Sequence, residues 1–157
     1  MPNVIQPCQF LEWDSHFFRR RIGRVLQAPL DEAALAEIDA WLVRESIDCL
    51  YFLVDSQDAP SIGLAEGHGF HLADVRVTLS RRLEGLPPVR EDAPVVRGFR
   101  MDDLPALEAI AQTAHTDTRF YADPHFPEAD CSCLYATWIR RSCLEGFAAH
   151  VCVAEWD

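Results

Sequence analysis

The chain has 157 residues, 49% of them hydrophobic, which suits one globular domain or two small ones sharing an interface and excludes a disordered tail. Its 14 basic and 25 acidic residues leave a formal net charge of -11, a surface that repels phosphate backbones and argues against nucleic acid as a partner. No stretch approaches the roughly 20 apolar residues that span a bilayer, and Met1 to Phe10 has no signal-peptide pattern. Six cysteines without a paired framework complete the expectation of a cytoplasmic protein with reduced thiols and no membrane partner.

In chain order, Trp13, Phe17 and Phe18 read as a structural cluster, with Asp14 available as a helix cap. Arg19, Arg20, Arg21 and Arg24 follow as the one small basic cluster and read as a solvated edge. Ile22 to Gln27 predicts a strand. Asp31 opens a helix in which Leu35, Ile38, Leu42 and Val43 recur at helical spacing, ending near Ser46. The continuous apolar run Cys49 to Val54 predicts a strand buried on both faces. Asp55 to Pro60 is a turn, and Ser61 is placed to cap a short helix, Ile62 to His68, ended by Gly69. Phe70 to Leu83 predicts a strand with Val75, Val77 and Leu79 on one face, so the front reads βαβαβ.

Pro87, Pro88 and Pro94 around a charged stretch predict a linker over 86–95, dividing a front domain, 1–85, from a second, 96–157. Val95 to Phe99 predicts a strand, and Asp102-Asp103-Leu104-Pro105 a helix start with acidic residues at the positive dipole end. Leu104, Leu107, Ile110, Ala111 and Ala114 form its apolar stripe. His115 to Pro127 reads as a loop, Leu134 to Leu144 as a second helix with Gly146 just past it, and Ala149 to Glu155 as a strand. The fold class is thus α+β, with mixed α/β order.

Three runs carry a family resemblance. Val96 to Leu107 resembles the opening of a GNAT-superfamily N-acetyltransferase domain, where a strand ending in Arg leads to an acidic pair and the first helix. Gly63 to Leu79 resembles the helix, Gly-Phe and final strand that close such a domain, here placed before the opening. Leu11 to Phe18 followed by Ile22-Gly23-Arg24, together with His115 to Pro124, resembles the two-part dTDP-fucosamine acetyltransferase-like enzymes. The resemblance implies a partial GNAT-like front domain followed by the first strand, two helices and next strand of a catalytic GNAT domain. It also implies transfer of acetyl from the co-substrate acetyl-CoA to the amine of a small acceptor, with a dTDP-linked amino-sugar as the candidate.

GNAT domains hold the acetyl-CoA pyrophosphate on a loop of the type Arg/Gln-x-x-Gly-x-Gly/Ala opening a helix, where backbone amides and the dipole meet the phosphates. This sequence contains no such loop, and Gly63, Gly67 and Gly69 do not have its spacing. The loop and the late tyrosine that protonates the thiolate are therefore expected beyond residue 157, the chain as it stands is expected to be inactive, and no cofactor-binding residue is assigned in it.

By that resemblance the loop from His115 lies beside the acceptor pocket. Arg119 is the candidate for a nucleotide-sugar phosphate, Phe120 or Tyr121 for stacking on a ring, and Thr118 and Asp123 for polar contacts. The same residues suit a structured loop in which Arg119 pairs with Asp117 or Asp123 and the aromatics fill the core. His115 and Glu155 are the candidates for the base that deprotonates the amine. Cys131-x-Cys133, with His125 and Cys143 nearby, lacks the spacing of a zinc site, and no metal is assigned. A second reading is a non-catalytic ligand-binding or pairing module, in which the strand at 149–155 offers an open edge to another copy as a homodimer.

Overall fold

The computed structural model describes residues 6–85, 90 and 92–156. The fold is mixed α+β, and the chain divides into two compact units, residues 1–72 and 73–157. The expected linker over 86–95 lies, at 86–89 and 91, outside the described residues.

The first unit runs β1 (Cys8–Phe10), α1 (Glu12–Phe18), β2 (Ile22–Val25), α2 (Glu32–Glu45), β3 (Cys49–Tyr51) and α3 (Ala59–Gly67). Its sheet has the order β1-β2-β3, antiparallel between β1 and β2 and parallel between β2 and β3, with Gly23 opposite both Phe10 and Leu50. The parallel pair requires a crossover, which α2 provides. Asp31 caps that helix by accepting the Ala34 N–H at 2.7 Å, a bond of the kind that contributes about 1 kcal/mol. One face, Ala34, Leu35, Ile38 and Trp41, enters the core with Cys8, Val25, Leu30 and Ala65. Val43, expected among the apolar stripe, is exposed because it falls outside that arc. Gly23 is required by close approach. A Cβ there would stand 2.7 Å from Trp41 Cη2, closer than carbon atoms tolerate.

Several expectations change here. Helix α1 starts after Leu11 with no side-chain cap, and Asp14 lies inside it. Strand β3 is shorter than Cys49 to Val54 and half-buried, because it pairs with β2 on one side and forms the end of the three-stranded sheet. Helix α3 is capped by Asp58, which accepts the Ser61 N–H at 3.2 Å, with Pro60 in the first turn. Ser61 itself is fully buried, and its Oγ accepts the Leu30 N–H at 2.8 Å. The expected strand over Phe70 to Leu83 does not form. Phe70 packs edge-on to Phe52, but 71–83 join no ladder, and Val75, Val77 and Leu79 stand exposed. Alternation selects the face a strand would bury, whereas a strand also needs a partner for its N–H and C=O groups. The front is therefore βαβαβα rather than βαβαβ.

The second unit runs β4 (Val95–Gly98), a 3-10 turn (Met101–Asp103), α4 (Leu104–Ala114), α5 (Arg119–Ala122), α6 (Glu128–Leu144) and β5 (Cys152–Glu155). Strands β4 and β5 pair antiparallel, Val95 opposite Glu155 and Gly98 opposite Cys152. Helix α4 packs along α6, burying Leu104 and Ala111, and Arg140 donates to Glu108 at 2.7 Å across the pair. Helix α6 begins six positions before the expected Leu134, with Glu128 and Asp130 in its first turn, where acidic groups meet the positive dipole end. Gly146, just past its end, has φ +70, as a glycine stop requires.

Candidate functional site

In the second unit, the segment between α4 and α6 gathers most of the sequence-predicted site residues. Helix α4 ends at Ala114. Thr118, in extended conformation, starts the single turn α5, so the loop expected from His115 to Pro127 carries a helical turn. Phe120 is fully buried, its ring edge-on to Phe126 at 5.6 Å and to Trp138 at 6.3 Å, and its carbonyl accepts the Cys131 thiol at 3.4 Å. Phe120 is thus the pin that fixes the turn to α6. With no exposed face, it is not the residue that stacks on a ligand ring.

The pin orients its neighbours. Thr118 Oγ1 accepts from Tyr135 Oη at 2.7 Å, and Tyr121 Oη lies 3.0 Å from Ser132 Oγ. The two tyrosine rings stack with centroids 6.5 Å apart and planes 11° apart, and the His115 ring sits 4.8 Å from that of Tyr135. Arg119 lays its guanidinium over the Phe120 ring at 4.3 Å. Asp123 accepts from the His125 backbone N–H at 2.9 Å and meets His125 Nδ1 at 2.8 Å. Thr118, Tyr121 and His115 therefore belong to one cluster centred on Tyr135, and Arg119 flanks it.

Tyr135 and Ser132 are functional candidates that sequence reasoning missed. They stand three positions apart on α6, a spacing that shares a helix face, and this was the available signal. Burial pushes the Tyr135 hydroxyl above its ordinary value, with Thr118 pulling weakly the other way. It stays protonated at neutral pH and serves as a donor. The cluster offers neutral donors and acceptors around a flat ring, with one guanidinium beside it. Such a set suits a ring-bearing small molecule with an anionic group.

Glu155 belongs to a different cluster. Its carboxylate accepts from Arg97 Nε at 2.9 Å, and Arg97 also forms a two-pronged pair with Asp103 at 2.7 and 2.8 Å. The Arg97 bond holds the Glu155 carboxyl below its ordinary range. That makes it a poorer proton acceptor at neutral pH than an unpaired glutamate.

The cysteines of the suspected metal motif separate: Cys131 is buried against Phe120, and Cys133 is exposed. Among the described residues no group of three or more His, Cys, Asp or Glu side chains is placed to hold a metal ion. All six cysteines are free thiols. No helix among the described residues is long and apolar enough to cross a membrane. Gly63 and Gly67 lie within α3, and the Gly69 N–H is spent on Glu66 O. This stretch does not fit the pyrophosphate of acetyl-CoA. Comparison with protein-family models, with curated proteins and with solved structures finds no match to this chain.

Proposed function

We propose that residues 95–156 form the acceptor side of a GNAT-type N-acetyltransferase that moves acetyl from acetyl-CoA to the amine of a small molecule, with a nucleotide-linked amino-sugar as the acceptor class. The observation that supports this reading is topological. Strand β4 leads through two packed helices, α4 and α6, back to an antiparallel β5, which is the opening order the family resemblance implies. The loop between those helices meets Tyr135 of α6 through Thr118 and His115.

In the transfer, the amine nitrogen attacks the thioester carbonyl carbon, the C–N bond forms, the C–S bond breaks, and the amine proton goes to a base while the thiolate takes up another proton. Acetyl-CoA supplies the activated acyl group. The residues of this chain bind and orient the acceptor. Arg119 holds its phosphate, the exposed side of Tyr121 stacks on a ring, and Thr118 and Asp123 fix polar groups. His115, beside Tyr135, is the candidate base, since Glu155 is tied to Arg97.

The test is release of free thiol from acetyl-CoA by the protein as expressed from its gene against a panel of nucleotide-linked and free amino-sugars. Acceptor-dependent release is expected, with Arg119→Ala raising the acceptor KM about tenfold, the scale of one lost charge-assisted bond. No release with any amine, or an Arg119→Ala variant that behaves as wild type on a phosphate-bearing acceptor, removes this reading.

A further inference from the structure

Outside that cluster, the first unit has a shallow basin of about 310 Å³ where α1 turns into β2, lined by Arg19, Arg20 and Arg21 together with Phe10, Glu12 and Asp48. Arg19 ends α1 in the left-handed region, φ 53, and Ser15 locks the turn, its Oγ accepting the Ile22 N–H at 2.9 Å. This reversal brings three consecutive arginines around one concavity. Arg21 is held in place. Its Nε donates to the Glu45 carbonyl, its backbone N–H donates to Asp48 at 2.8 Å, and its guanidinium covers the Phe10 ring at 4.7 Å.

The lining sets three guanidiniums against the two carboxylates of Glu12 and Asp48, in a chain whose formal charge is -11, and Glu45, outside the lining, meets the Arg21 guanidinium at 3.8 Å and helps to fix it. Basic groups at a helix C-terminus favour the dipole, which accounts for Arg19 but not for a ring of arginines around a hollow. We infer that this basin binds a small phosphate-bearing anion, with Arg19 and Arg20 carrying the charge and Arg21 forming a fixed wall. A phosphate presents several charged oxygens to several guanidinium forks, whereas a lone carboxylate serves only one. The ligand is a soluble molecule rather than a lipid headgroup, because the site is concave, has carboxylates in its lining, and belongs to an acidic protein that an anionic bilayer repels.

The probe is inorganic pyrophosphate, titrated calorimetrically into the whole chain at low ionic strength. Saturable binding at one site is expected, weakened about tenfold or more by Arg19→Ala/Arg20→Ala, with the charge-matched pair Arg76→Ala/Arg81→Ala, taken from the exposed stretch after α3, within about twofold of wild type. Circular dichroism checks that each variant is folded, and Arg20→Gln, which keeps most of the side-chain stem, stands in if the first double variant is not. Absent binding, or equal weakening in both double variants, overturns the site. Co-sedimentation with vesicles of anionic phospholipid, lost in Arg19→Ala/Arg20→Ala, overturns the soluble ligand. None of these readouts involves acyl transfer, so the site stands or falls separately from the proposed activity.

Discussion

Arg97 and Asp103 face each other through two N–H to oxygen bonds of 2.7 and 2.8 Å, a fork-to-fork pair that spans the exit of β4 and the entry of α4. The same guanidinium reaches Glu155 on β5, and Asp103 also accepts the Arg100 N–H at 2.7 Å. Chiefly through Arg97, the Asp103 carboxyl is lowered to about 2. A group whose folded value lies below its unfolded value, near 4 for aspartate, contributes stability that is complete above the unfolded value and is lost as pH falls through the folded one. Glu155 shifts in the same direction. The second unit is therefore expected to lose stability between about pH 4 and pH 2, and Asp103→Asn to show a lower melting temperature at pH 7 with a flatter acid limb. Thermal melts of both proteins across that range check this. An unchanged acid limb in Asp103→Asn would assign the loss to other carboxylates.

Gly23→Ala is expected to destabilise the first unit by about 1–3 kcal/mol, because the new methyl would stand against the Trp41 ring and the Leu50 side chain. Trp41→Phe, which shortens the ring, should recover part of that loss when combined with it. Denaturant unfolding of the two single variants and the double variant gives the coupling. Strict additivity would show that the clash is not what constrains this position.

Ser61→Ala leaves the buried Leu30 N–H without its acceptor, at a cost of about 1–3 kcal/mol. Ser61→Thr keeps the oxygen but adds a methyl to a fully buried site, so it separates loss of the bond from loss of space. Equal unfolding midpoints for wild type and Ser61→Ala are the contrary result.

Thiol labelling distinguishes the six cysteines. Burial raises the Cys8 thiol to about 11 and pushes that of Cys131 up as well. At neutral pH, iodoacetamide is expected to modify exposed Cys133 and Cys152 first and to reach Cys8 and Cys131 only under unfolding conditions, as read by peptide mass mapping.

Phe120→Ala distinguishes a core role from a ligand role. A fully buried ring of this size costs about 3–5 kcal/mol when truncated, so the melting temperature should fall before any effect on acceptor binding is measured. A stable variant with only a raised acceptor KM would return Phe120 to the ligand.

What the sequence makes legible is local. Helix α2 is readable because its cap, Asp31, and its buried stripe, Leu35 and Ile38, act within a few positions of each other. The stretch over 71–83 is not, because Val75, Val77 and Leu79 carry a period without naming a partner. Ser61 looks like a cap by composition, but its oxygen is claimed by Leu30, 31 positions away. Within the candidate site, the loop around Arg119 stands out by its chemistry. Its organiser, Tyr135, bonds to Thr118 across 17 positions and looks from sequence like one more helix aromatic.

The clasp at Arg97 also bears on the order in which the second unit assembles. Its bond to Glu155 joins residues 58 positions apart, whereas the helices between them can form from short-range contacts. Closing so long a loop is entropically costly until α4 and α6 have drawn its ends together, so the β4–β5 pairing is expected to come late. Mutations in the strands, such as Val96→Ala, should then speed unfolding and leave the folding rate nearly unchanged, while mutations at Ala111 or Leu134, in the packed helices, should slow folding.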